Sequence, residues 1–127
     1  MKIFVDAFAW IEYFKGNERG SAAAKYIESS RYELFTLLEN LAELSVYYHR
    51  NKLEFNDDFS FILSRSRVTQ PNQEDAIQAG KTSAEKRKTM KNWGLVDSLL
   101  LTTAKRYKAK ILTGDQHFKD IKEAILI

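Results

Sequence analysis

Apolar and polar positions fall in short blocks along this chain, and the blocks predict alternating strands and helices. "KIFV" at 2–5 is a nearly unbroken apolar run, as expected of a strand covered on both faces in a parallel sheet. The run stops at Asp6. Residues 7–15 then read as a helix ending at Gly16, a residue suited to a left-handed helix terminus. The Ala22–Ala24 run predicts a second helix over 21–29, and "YELFT" a second strand. In "TLLENLAELSVYYHRN" apolar residues at 37, 41, 44 and 48 recur with a helical period. Asn56 and Asp57 start a further helix through "FSFILSR", and "RVTQ" is a weak strand closed by Pro71, the only proline. A long, polar, basic helix over 73–90 follows, with Glu74 and Asp75 in its first turn, where a negative charge is favoured. "LVDSLLLTTAKRY" reads as helix, "KAKILT" as strand and "AILI" as a last strand.

This alternation predicts an α/β fold with a mostly parallel sheet of four to five strands and helices on both faces. Ligands of such sheets bind beyond the carboxyl ends of the strands, which is where Asp6 falls. Composition adds limits. The 127 residues are 44% hydrophobic, enough for a core within one domain over 1–127, and they include no cysteine, which excludes thiolate metal sites and disulfides. No apolar run approaches a membrane span, no secretory signal pattern opens the chain, and a cytoplasmic protein is expected. The net charge of +3 permits a polyanionic partner without demanding one. Its distribution is more informative. Lys81, Lys86, Arg87, Lys88 and Lys91 gather in "KTSAEKRKTMK" against Glu85 alone, either as a solvated helix face or as an attractor for nucleic acid, with Lys108 and Lys110 adding to the field.

Four acids stand out, each with an ordinary alternative. Asp6 suits an N-cap for the 7–15 helix, although Ala9 three residues on gives no reciprocal capping box. Asp115 in "KILTGDQHF" also follows an apolar strand and suits a turn after Gly114. Asp97 heads a stripe of Leu100, Leu101 and Ala104, so its carboxylate faces inward unless it caps, and an inward acid needs a partner or a cation. Glu43 lies in a polar row with Thr36, Asn40 and Tyr47 beside the apolar stripe, a common setting for a surface glutamate. His49 and His117 form no metal-ligand spacing; His117, close to Asp115, is a candidate for substrate contact and stays outside the expected metal shell.

Taken in order and spacing, "FVDAFAWIEYFKG", "TLLENLAEL", "WGLVDSLLLTTAK" and "ILTGDQHF" resemble the PIN-domain nucleases over essentially the whole chain, with greatest similarity to the VapC-type toxin endoribonucleases of prokaryotic toxin–antitoxin pairs. The resemblance implies a PIN-like three-layer fold with Asp6, Glu43, Asp97 and Asp115 converging in a groove. It implies Thr113 as an aid to metal or water binding, an antitoxin partner and a homodimer. One departure is visible: Ala7 and Phe8 stand where many members carry a hydroxyl after the first Asp.

Converging carboxylates repel one another unless a cation offsets them, and an oxygen-only set favours Mg²⁺ or Mn²⁺. The activity so implied is metal-dependent hydrolysis of RNA, with a silent RNA- or protein-binding module on the same fold as the alternative. A receiver domain is disfavoured because Asp6 is followed by Ala7 where an acidic pair is required. A haloacid-dehalogenase-like phosphatase is disfavoured because Phe8 replaces a needed second Asp.

Overall fold

The computed structural model describes residues 1–127. In chain order the elements are β1 (Lys2–Val5), α1 (Ala7–Lys15), α2 (Glu18–Ile27), β2 (Glu33–Leu37), α3 (Leu38–Arg50), α4 (Asn56–Arg65), β3 (Arg67–Thr69), α5 (Gln73–Lys86), α6 (Leu95–Arg106), β4 (Lys110–Thr113) and β5 (Ala124–Leu126), with a 3₁₀ turn at Gln116–Phe118. The five strands form one sheet in the order β3-β2-β1-β4-β5, every pair parallel. The α/β sheet read from the sequence is therefore the fold. No helix is long and apolar enough to cross a membrane.

Alternation along β1 divides the core between two faces. Ile3 and Val5 join Trp10, Ile27, Leu34, Leu44 and Leu112 on one side, and Phe4 joins Phe35, Trp93, Leu100, Ile111 and Phe118 on the other. Phe4 is fully buried and stacks on Phe35 at 5.2 Å between ring centroids. Truncating it to alanine would cost about 3–5 kcal/mol. Helices cover both faces, so the central strands carry continuous apolar runs.

Two boundaries differ from the sequence reading by three residues or more. Helix α2 starts at Glu18, three residues ahead of the predicted position, because Asn17 caps it: its side-chain oxygen accepts the Gly20 N–H at 2.8 Å. Gly20 is required at this tight join, since a Cβ there would lie 2.1 Å from the Glu12 carbonyl oxygen. At the other end, α5 stops at Lys86 instead of 90. Arg87 turns back to donate its Nε to the Trp93 carbonyl at 2.9 Å, and burial of Trp93 pulls the segment inward.

The chain runs from β1 outward through β2 to β3, then crosses to β4 on the far side of β1. Strand order thus reverses between β1 and β4, the crevice position favoured for ligands in open parallel sheets. Asp6 leaves the end of β1 with its N–H bonded to the Leu112 carbonyl at 3.0 Å, which sets it beside the end of β4.

Candidate active site

Four segments meet at this crevice. Asp6 ends β1, Thr113 and Asp115 follow β4, Asp97 sits in the first turn of α6, and Asn40 and Glu43 lie one turn apart on α3. Asp6 is buried, at 6% exposure. Its Oδ1 accepts the Ala7 N–H at 2.8 Å and the Asn40 amide at 3.3 Å, and its Oδ2 accepts the Thr113 hydroxyl at 2.7 Å. The carboxylate thus caps α1 and still projects into the crevice. Asn40 donates to Glu43 Oε1 as well, at 2.7 Å, so one amide bridges the first acid to the fourth. Thr113 in turn accepts the Asp115 N–H at 3.0 Å, so a single hydroxyl locks two of the acids into register.

Asp97 accepts the Gly94 N–H at 3.0 Å, so it too serves its own helix start while half-buried at the site. The neighbouring Ser98 accepts the Trp93 indole N–H at 2.6 Å. Asp115 accepts the His117 N–H at 2.9 Å in a local turn, and His117 Nδ1 lies 3.3 Å from the same oxygen. One donor atom each from Asp97, Asp115 and His117 lie within 4.8 Å of one another. His117 therefore stands inside the cluster, whereas its sequence context had set it apart from the metal shell. A turn of the chain at Asp115 does what no helical spacing would.

Electrostatics tie the four acids together. Burial pushes the Asp6 carboxyl up to about 7, against the help of the Thr113 hydroxyl, with repulsion from Glu43 and Asp97 adding to it. Glu43 and Asp97 are raised as well, first by burial, then each by repulsion from Asp115 and, for Glu43, from Asp97. No lysine or arginine pairs with any of the four. Asn40, 1% exposed, holds its Oδ1 without a hydrogen-bond partner. Hard oxygen donors with rising pKa values, one adjacent imidazole and a spare amide oxygen fit a hydrated divalent cation.

Phe8 replaces the hydroxyl of the first turn and lies against Gly114, where a Cβ would stand 2.4 Å from the ring. Phe8 is a half-buried aromatic two residues after Asp6. Of the basic run, Lys86 lies with its ammonium 5.1 Å over the Trp93 ring, Arg87 is held by the Trp93 carbonyl, and Lys88 pairs with Glu85 at 3.1 Å. Lys81 lies on exposed α5 surface and Lys91 on the turn after it. Lys108 precedes β4 and Lys110 opens it, at the end of the strand opposite the acids.

Asn40 is the residue that sequence reasoning undervalued. It shares the polar row with Glu43, but periodicity marks a row and not which member turns inward.

Solved structures share the fold. The Mycobacterium tuberculosis toxin VapC20, a Sarcin-Ricin loop cleaving toxin, superposes with a TM-score of 0.75 at 17% identity over 94% of this chain and 95% of its own. A toxin-antitoxin complex from Klebsiella pneumoniae gives 0.72 at 18% identity over 97% of this chain and 95% of the other. VapBC2 from Rickettsia felis, bound to a promoter DNA fragment, gives 0.71 at 18% over 100% and 98%. No curated protein sequence matches the chain. The sequence model of the PIN domain matches residues 3–124, so this chain, with its acids gathered at the switch point of a parallel sheet, belongs to the PIN-domain family.

Proposed function

We propose that this chain is a metal-dependent endoribonuclease, the VapC-type toxin of a toxin–antitoxin pair, with residues 1–127 acting as one nuclease unit in the cytoplasm. The observation that carries the reading is the buried Asp6 carboxyl, raised to about 7 among three further acids with no cationic side chain against any of them. A buried carboxylate set of this kind is costly unless a cation from outside completes it.

Asp6, Asp97 and Asp115 would hold Mg²⁺ or Mn²⁺, with Glu43 completing the set and His117 beside Asp115. When bound, the ion supplies electrophilic stabilisation of the scissile phosphate and activation of the attacking water. The chain's own groups do the rest. Thr113 ties the Asp6 carboxylate to the Asp115 backbone, and Asn40 bridges the Asp6 and Glu43 carboxylates. Glu43 at the rim, with Oε1 occupied by Asn40 and its pKa raised, presents Oε2 as the proton acceptor for the attacking water. Phe8, packed against Gly114, would present an apolar flank beside the acids.

The likeness to toxins solved with antitoxins supports an antitoxin partner for this chain, and a homodimer is the expected assembly. The test is cleavage of RNA by purified protein under Mg²⁺ or Mn²⁺, against Asp6→Asn and Asp97→Asn. Metal-dependent cleavage that both substitutions abolish supports the reading. Inert wild-type protein favours a binding module, and full activity in both variants shows that the site lies elsewhere.

A further inference from the structure

A helix length along α6 from the acidic crevice lies a second concave surface, rich in lysine. Helices α5 and α6 and the turn before β5 enclose a cleft of about 570 Å³. Lys81 and Lys86 enter it from α5, Lys105 from the end of α6 and Lys122 from the turn. Glu85 and Glu123 also line it, but Glu85 is already paired with Lys88 outside the cluster at 3.1 Å. None of the four lysines takes part in an ion pair. Four lysines thus line one cleft without an ion pair among them, against the two carboxylates of Glu85 and Glu123.

Lys86 and helix α6 link the cleft to the candidate active site. The Lys86 ammonium sits 5.1 Å over the Trp93 ring, and that ring lies 6.4 Å from the imidazole of His117, the neighbour of Asp115. Helix α6 carries Asp97 at the site and Lys105 in the cleft, eight residues or about 12 Å further along the axis. A strand with its scissile phosphate at the acids would run along α6, past Lys86, to reach the lysines. The lining also argues for the kind of partner. Only Leu101 and Ile121 are apolar in it, whereas the centre of a protein interface is apolar and aromatic. Spaced lysines without bidentate or aromatic recognition suit a phosphate backbone read for charge, not sequence.

We propose that the cleft formed by Lys81, Lys86, Lys105 and Lys122 is the track for the single-stranded RNA flanking the scissile phosphate. The inference rests on the ribonuclease reading above and assigns its substrate path. It also divides the basic run: Lys81 and Lys86 belong to the track with Lys105 and Lys122, which lie far from them in sequence, while Arg87 and Lys88 face other partners.

The experiment is fluorescence anisotropy of a fluorescein-labelled, mixed-sequence single-stranded RNA over a series of KCl concentrations, with EDTA present to prevent hydrolysis. Lys81→Glu combined with Lys105→Glu is compared with Lys25→Glu combined with Lys52→Glu, which alters net charge equally on exposed surface elsewhere. The cleft pair should weaken binding about tenfold and reduce the slope of log affinity against log salt by about 1.4, two phosphate contacts' worth. The remote pair should leave the slope unchanged. In the cleavage assay the cleft pair should raise KM with little change in kcat. Equal effects from both pairs, or none from the cleft pair, overturn the track. So does unchanged RNA binding accompanied by lost capture of polyglutamate, which would make the cleft a protein site. Wild-type protein that neither binds nor cuts RNA overturns the nuclease reading and the track together; normal cutting with an unaltered slope sinks the track alone.

Discussion

Two aspartates in this molecule are equally buried and behave in opposite ways. Asp6 is 6% exposed and Asp75 is 5% exposed. Burial pushes both carboxyls up. At Asp75 the push is overcome: Arg106 donates Nε at 2.8 Å and a second guanidinium nitrogen at 2.7 Å, and the Asn72 N–H adds a third bond at 3.0 Å within a capping box. Its carboxyl is held below the ordinary range. At Asp6 the donors are a hydroxyl, an amide and one N–H, none of them charged, and the nearest charges are other acids. The chain supplies a cation to one buried acid and withholds it from the other. Asp75 is a structural pair that closes α5 onto α6, whereas the Asp6 cluster is built for a charge that arrives from solution.

The contrast can be broken at either end. The largest effect is expected from Asp97→Asn, which removes a charge from the centre while Asn can still accept the Gly94 N–H; RNA cleavage should fall on the order of a thousandfold, measured by gel-resolved initial rates under Mn²⁺. Next, Arg106→Met strands Asp75 without its cation and should destabilise the fold by about 2 kcal/mol, less than for a fully enclosed pair because Arg106 is itself over a third exposed; urea melts would show it, with kcat untouched. Asp6→Asn should do the reverse in EDTA. In the folded chain Asp6 keeps its proton up to about 7, whereas unfolded it releases it near 3.8, so metal-free protein loses stability as pH rises from about 4 to about 7. At pH 8 the asparagine variant should therefore melt on the order of 5 °C above wild type, and at pH 4 the gap should close. A wild type whose melting temperature is flat over that range would count against the uncompensated acid. The smallest effect is expected from Thr113→Val, which removes the hydroxyl shared by Asp6 and Asp115 but no charge; activity should drop about tenfold with metal requirement intact.

Much of this architecture was legible beforehand. Every predicted strand is present, because short apolar runs between turn residues have few other places to go in a chain of this size. The helix over "LAELSVYYHR" follows from its period alone. Boundaries were less legible where tertiary contacts overrode local preference: Asn17 and Gly20 extend α2 backward against α1, and Trp93 ends α5 early by drawing the following turn into the core. At the site, Asp6 and Asp115 could be placed on the ligand edge from strand endings. Glu43 and Asn40 could not be ranked within their polar row, and His117 has no spacing signal at all.

The apolar runs and their order along the chain determine a doubly covered parallel sheet, since only such a sheet buries unbroken hydrophobic strands on both sides. They also put acids at the ends of two strands. Which side chains share a space was decided by the crossover that seats β4 beside β1, because that pairing alone brings residue 113 within hydrogen-bond reach of residue 6. The lysines at 81, 86, 105 and 122 are likewise scattered by sequence and gathered only when α5, α6 and the turn before β5 pack together. Charge is written in the residues, but its field depends on distance, and distance is set by packing.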